Sequence, residues 1–200
     1  MAPMSPAQLT LFGEPQAEPE NTLPPGFAYR PELITPQEEQ AFAARFEDLP
    51  FKPYEFRGYE GARQTVSFGW KYAADGKAIE KVEPIPDFLL PVRERVAAFA
   101  GLEPEEIVQS LVVMYPPGAP IGWHRDRPAF GKVMGVSLLT PAPLRLRLER
   151  PDGGWDRVTR RLEPRSAYLL SGPARHQWQH SIPPLGALRY SITFRTLARR

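Results

Sequence analysis

Proline sets the first limit on what this chain can fold into. Twenty-five of its 200 residues are proline, against a usual share of about 5%. Proline lacks the amide donor that a helix interior or a central strand requires, so long helical bundles are disfavoured and short strands with many turns are favoured. No apolar run approaches the roughly 20 residues needed to span a bilayer. Met1–Thr10 has no basic segment leading into an apolar stretch, so neither membrane insertion nor secretion is expected. With no cysteine in the chain, disulfides, thiolate metal sites, iron–sulfur clusters and a cysteine nucleophile are excluded. A cytoplasmic protein is the expectation.

Between the prolines, the periodicity changes along the chain. Residues 1–25 hold six prolines, three acids and no Lys or Arg, and their apolar residues follow no period, which reads as a flexible tail. Thr35-Pro36-Gln37-Glu38 carries a helix start, with Thr as N-cap, Pro at the first position and Glu three residues on. That helix should run to about Asp48, with Phe42 and Phe46 on one face. A second helix is expected over Phe88–Ala100, where Leu89, Val92, Val96 and Phe99 form a stripe and Gly101 provides the stop. From Val108 onward short strands alternate with turns. Candidates are Ser110–Tyr115, Ile121–His124, Lys132–Leu139, Leu144–Arg150, Trp155–Leu162, Ala167–Leu170, Gln177–Ile182 and Tyr190–Thr196. In Leu144-Arg145-Leu146-Arg147-Leu148 the Leu face must be buried and the Arg face must point elsewhere. Strands in this number and spacing point to a double-sheet sandwich or jelly roll.

Charge is unevenly placed. Residues 1–100 carry 10 Lys+Arg and 15 Asp+Glu, whereas residues 101–200 carry 15 and 8. Twenty of the 25 cations are Arg, the side chain whose fork suits carboxylate and phosphate. A basic C-terminal half is compatible with a nucleic-acid partner.

The chain has three histidines, His124, His176 and His180. His124-Arg125-Asp126 places an imidazole and a carboxylate two residues apart at a strand end, so both project to one side. Adding His180 gives two imidazoles and one carboxylate, the facial arrangement that leaves positions open on a non-haem Fe(II). His176, Trp178 and His180 alternate along the expected Gln177–Ile182 region, so His176 is the competing ligand. In Arg189-Tyr190-Ser191-Ile192-Thr193-Phe194-Arg195 the odd positions share one face. Two guanidiniums inside a sandwich need anions. Either a dicarboxylate such as 2-oxoglutarate meets them, or an internal Asp or Glu does.

Together these segments resemble the AlkB family of Fe(II)/2-oxoglutarate-dependent dioxygenases. The resemblance runs from about Gly58 to Thr196. It rests on Phe68-Gly69-Trp70-Lys71-Tyr72, Met114-Tyr115-Pro116-Pro117-Gly118, His124-Arg125-Asp126 and Val136-Ser137-Leu138. It continues with Ser171-Gly172-Pro173-Ala174-Arg175, His180-Ser181-Ile182 and the closing Arg189–Arg195 motif. It implies an α+β, mainly β fold: a double-stranded β-helix (jelly roll) with N-terminal helices and an aromatic, basic substrate lid. The corresponding division is tail 1–25, helices and lid 26–107 and catalytic core 108–200, with 26–200 as one compact domain. It also implies Fe(II) on His124, Asp126 and His180. Arg189 would hold the distal carboxylate of 2-oxoglutarate with help from Tyr115, Ser191 would lie nearby, and Arg195 would sit near the metal-bound end.

The implied activity is oxidative demethylation of N-alkylated bases in DNA or RNA, consuming O2 and 2-oxoglutarate, by a monomer that recruits no membrane. Residues 51–72 hold seven of the 22 aromatics, interleaved with Lys52, Arg57, Arg63 and Lys71, a composition that suits stacking on an unpaired base. Trp70, Tyr72, Arg63 and Arg127 are the expected substrate contacts. Three positions depart from the repair-type pattern: Pro128 replaces an acidic residue, and Val113 and Ser191 each replace Asn. Two other readings compete, the same chemistry on a protein side chain and a non-enzymatic RNA-binding jelly roll.

Overall fold

The computed structural model describes residues 22–56, 59–73 and 78–198; the expected tail, apart from residues 22–25, lies outside them. In chain order the elements are β1 (Phe27–Arg30), α1 (Pro36–Glu47), β2 (Lys52–Phe56), β3 (Tyr59–Phe68), β4 (Trp70–Tyr72), β5 (Ile79–Lys81) and α2 (Leu90–Ala100). The C-terminal half adds β6 (Ile107–Tyr115), β7 (Ile121–His124), β8 (Phe130–Leu138), β9 (Ala142–Glu149), β10 (Trp155–Leu162) and β11 (Ala167–Leu170). It ends with α3 (Gly172–His176), β12 (Gln179–Ile182) and β13 (Arg189–Leu197).

Two antiparallel sheets face each other. The larger has the order β1-β11-β8-β13-β6-β3-β2 and the smaller β10-β9-β12-β7, while β4 and β5 form a separate ribbon. This is the jelly-roll architecture expected from the strand pattern. The N-terminal half contributes more strand than the sequence suggested. Its β3 pairs along β6 from Gln64↔Met114 to Phe68↔Ser110, and β1 extends the other edge against β11. The segment expected to be only helices and lid therefore also builds the large sheet. Among the expected tail residues, Pro24 is buried and Leu23 packs on the inter-sheet core.

Strand alternation assigns each face. On β13, Tyr190, Ile192 and Phe194 turn towards the helices, where they meet Phe42 and Phe46 of α1 and Val92 and Val96 of α2. The intervening Arg189, Ser191, Thr193 and Arg195 share the other face, towards the smaller sheet. A second core joins Leu144 and Leu146 of β9 and Val158 and Leu162 of β10 to Val133 and Leu170 of the large sheet. Burying these aliphatic side chains contributes about 1.5–3 kcal/mol each. The helices brace the outer face of the large sheet, so its inner face is left for chemistry.

Local signals hold as the sequence predicts. Thr35 and Glu38 form a reciprocal capping box, and the left-handed Gly101 (φ 61°) stops α2. Glu38 also reaches Arg95 of α2 through two hydrogen bonds of 3.0 and 2.6 Å, tying the two helices together. Among the described residues, no helix is long and apolar enough to cross a membrane.

Candidate active site

His124 closes β7, and its Cα pairs directly with that of His180 on β12. Adjacent antiparallel strands thus bring residues from two turns of the chain side by side. Asp126 follows β7 by two residues. Ligand atoms of His124, Asp126 and His180 all lie within 4.8 Å of one another. His180 Nε2 is 3.5 Å from Asp126 Oδ2, and the two imidazole centroids are 4.2 Å apart. His124 Nδ1 lies 2.9 Å from the Gly122 carbonyl. A carbonyl only accepts, so this bond places the proton on Nδ1 and leaves Nε2 free for a metal.

The electrostatics agree with that donor set. Burial pushes both imidazoles below their ordinary range, His180 to about 3 with His124 adding to the effect. Burial alone would raise the Asp126 carboxyl, but Arg195 foremost, then His180, His124 and Arg175, hold it well below the usual carboxylate range. Two neutral imidazoles and one carboxylate are the protonation states a divalent metal requires.

His176 does not share this face. It ends the short helix α3 and is exposed, which corrects the expected alternation of His176, Trp178 and His180 on one strand. The strand begins only at Gln179 because Pro173 starts a helical turn, and the amides of Gln177 and Trp178 both donate to its carbonyl.

The two expected arginines have different partners. Arg195 gives Nε and Nη2 to Asp126 Oδ1 at 3.0 and 2.6 Å, and Nη1 to Gln109 Oε1 at 2.8 Å. Its guanidinium thus orients the carboxylate. Gln109 in turn donates to the Trp70 carbonyl at 2.6 Å, so a hydrogen-bonded chain runs from Asp126 to β4. Arg189 is different. It is 1% exposed and donates Nη2 to Ser137 Oγ at 3.1 Å, while Nε and Nη1 have no partner among the described residues. Its guanidinium carbon lies 5.0 Å from the centroid of the buried Tyr115 ring. Ser191 is also buried and pairs with Ser137 and Val113 across the strands. A buried cation with two orphaned donors fits a carboxylate from outside the chain.

Besides Gln109, Tyr168 and Arg175 at this site escaped the sequence reading as site residues. The buried Tyr168 hydroxyl is pushed up mainly by burial, then by the Asp126 charge; Tyr115, Arg189 and Arg195 also act on it. Tyr168 stands beside Gly135, which pairs with Thr193, so it shares the sheet face of Arg189 and Arg195. Gly135 makes room for that ring, since a Cβ there would collide with Tyr168 Cε1. Arg175, 4% exposed, donates to the carbonyls of Gly131, Arg127 and Phe130 at 2.8, 2.9 and 2.7 Å. It clamps the loop that follows Asp126. Neither role has a local sequence signal beyond the Ser171–Arg175 segment already matched.

The expected lid residues gather partly around this loop. Tyr72 accepts a hydrogen bond from the Ala129 amide at 3.0 Å and meets Phe130 edge-on, with the Arg127 guanidinium 4.4 Å from its ring centroid. Arg63 lies close enough for its charge to lower His124. Trp70 sits on the same strand face as Tyr72 but under Lys81, whose ammonium is 5.6 Å from its ring centroid.

A family model described as the 2OG-Fe(II) oxygenase superfamily matches residues 26–195. The chain is 27% identical over 184 residues to the Arabidopsis thaliana protein named alkylated DNA repair protein ALKBH8 homolog, covering 80% of this chain and 51% of that one. It is also 27% identical over 161 residues to the Bos taurus mitochondrial alpha-ketoglutarate-dependent dioxygenase alkB homolog 7, covering 76% and 65%. The chain thus spans about half to two thirds of the length of these relatives. The solved structure of OsALKBH1 superposes with a TM-score of 0.64 at 16% identity, covering 88% of this chain and 100% of that one. A Pseudomonas putida prolyl-4-hydroxylase gives 0.56 at 18%, covering 88% and 94%; at such identities the likeness speaks for the fold alone. With the His–Asp–His cluster and the unmatched buried arginine in place, the chain belongs to the 2OG-Fe(II) oxygenase superfamily, as an AlkB-like member.

Proposed function

We propose that this protein uses Fe(II) and 2-oxoglutarate to remove methyl groups from N-alkylated bases in single-stranded DNA or RNA. The observation that carries the co-substrate half of this reading is Arg189, a buried guanidinium with two unpartnered donors on the same strand face as Arg195, which grips Asp126. His124, Asp126 and His180 would hold the metal. Arg189, supported by Ser137, would take the distal carboxylate, with Tyr115 and Tyr168 beside it and Ser191 lining the approach. When bound, Fe(II) with 2-oxoglutarate and O2 supplies the oxidant that hydroxylates an N-methyl carbon, so that the hemiaminal collapses to amine and formaldehyde while succinate and CO2 depart.

The chain's own residues do the rest. Arg195 keeps Asp126 ionised and aimed, the Gly122 carbonyl fixes the His124 tautomer, and Arg175 holds the loop rigid. Phe130, buried edge-on to Tyr72 and beside the Arg195 guanidinium, would help keep water from the reaction. The substrate half rests on the cationic and aromatic rim of Arg63, Tyr72 and Arg127, and on the name of the plant relative. Pro128 favours a second reading, a protein side chain as substrate, because this exposed position offers no side-chain acceptor for the exocyclic amine of a damaged base.

The test is formaldehyde release from oligonucleotides carrying 1-methyladenine or 3-methylcytosine, with succinate followed in parallel. Release with stoichiometric succinate, dependent on Fe(II), is expected. Succinate formation without formaldehyde from any methylated strand contradicts the base as substrate and turns attention to a protein side chain.

A further inference from the structure

The Arg face of β9 finds no place in the reaction, yet it is built rather than merely solvated. Arg147 is held between two indoles, its guanidinium carbon 4.4 Å from the Trp123 ring centroid and 4.0 Å from that of Trp155. Arg145 lies 5.3 Å from the Trp123 centroid. Each gives Nε to a neutral partner, Arg145 to Ser181 Oγ at 3.2 Å and Arg147 to Gln179 Oε1 at 2.7 Å. Directly across the ladder from Arg147 stands Arg157 of β10. Among the described residues, none of these three guanidiniums has a carboxylate within ion-pair distance, although the acids Glu149 and Asp156 stand at the same end of the hairpin.

Two like charges placed directly opposite on a sheet destabilise it. Stacking on indoles compensates in part and also fixes the terminal nitrogens of Arg145 and Arg147. Alternate residues on a strand are about 7 Å apart, the scale of the step between neighbouring phosphates in an unpaired strand. Trp123 immediately precedes His124 and Gln179 immediately precedes His180, so the outer face backs directly onto the metal-binding strands.

We propose that the outer face of the smaller sheet, centred on Arg145, Arg147 and Arg157, is a docking surface for the phosphate backbone of a single-stranded nucleic acid. This rests on the nucleic-acid reading of the active site. Charge complementarity selects the occupant: a polyanion meets the two held forks of Arg145 and Arg147 and the exposed Arg157 across the ladder at once. Recognition is of phosphate, so the surface does not distinguish ribose from deoxyribose.

Fluorescence anisotropy with unmodified oligo(dT) and oligo(rU) of about twenty nucleotides tests it apart from catalysis. The wild-type chain should bind both strands within about threefold of each other, with strong salt dependence. Arg157→Glu, at an exposed position, should weaken both about tenfold and lower the slope of log affinity against log salt by about 0.7 or more. Arg145→Gln should act in the same direction, while succinate formation without substrate stays at the wild-type rate in each variant. Unchanged affinity and slope in both variants overturn the surface, even if formaldehyde release is normal. No binding of either strand by the wild type overturns it too, as does equal binding of poly-glutamate. Variant-sensitive strand binding without formaldehyde from any methylated strand upholds the surface and sinks the demethylase reading alone.

Discussion

Arg189 carries more of the account than any other single residue. The sequence shows two arginines on one face of the last strand and allows either internal or external anions; the structure divides them. Arg195 is met internally by Asp126, and Arg189 is left with free donors in a buried site. Arg189→Ala should therefore weaken 2-oxoglutarate binding by about 3–5 kcal/mol, a few hundredfold or more, measured by calorimetric titration of the Fe(II)-loaded protein. Unchanged affinity would place the distal carboxylate elsewhere. Arg175 makes the opposite kind of contribution, through three carbonyls of its own chain. Arg175→Lys cannot span all three, so metal affinity should fall at least about tenfold and thermal stability should drop with it; a variant with wild-type iron binding would show that the clamp does not position Asp126. The clustering of His124, Asp126 and His180 was legible because His124 and Asp126 are two residues apart at a strand end and His180 stands on the strand paired with it. Arg175, Tyr168 and Gln109 were not, because their partners lie far away in sequence and are in part backbone.

Element by element, the core strands were legible for the same reason they are stable: each has a buried face and proline- or glycine-rich turns at its ends. The N-terminal strands β1 to β5 were not. Gln64-Thr65-Val66-Ser67-Phe68 is half-buried on both faces, so it shows no alternation until β6 is beside it. The consequence is functional, since β3 and β4 tie the lid to the large sheet through Gln109 and the Trp70 carbonyl. Gln109→Leu should leave iron binding intact but uncouple the lid, raising succinate formed per formaldehyde by several-fold; a ratio equal to wild type would make Gln109 a packing residue only. The helices offer a separate check. Hydrogen bonding to Arg95 foremost, against the cost of burial, lowers Glu38 from 4.5 to about 2. Its folded-state value lies below the unfolded one, so its stabilisation is complete above pH 4.5 and fades as pH falls towards about 2. The melting temperature should decline through that window, and Glu38→Gln should flatten this part of the decline while starting from a lower stability at neutral pH. An unchanged profile would mean that another carboxylate governs the acid limb.

At the scale of the whole molecule, the two sheets take unequal roles. The large sheet buries one face against α1 and α2 and presents its other face, with Arg189 and Arg195, to the small sheet, which supplies both histidines. The fold thereby sets a row of guanidiniums behind a cluster of metal donors without needing a long loop. In the proposed function this cluster and Arg189 serve one bound pair, Fe(II) and 2-oxoglutarate. An anaerobic titration reads this most directly through the visible charge-transfer absorption of Fe(II) chelated by the keto acid. Wild-type protein should develop the band with one Fe(II) and one 2-oxoglutarate per chain, and Asp126→Ala should develop none. A band of full intensity in Asp126→Ala, or no band in the folded wild type, would contradict the account.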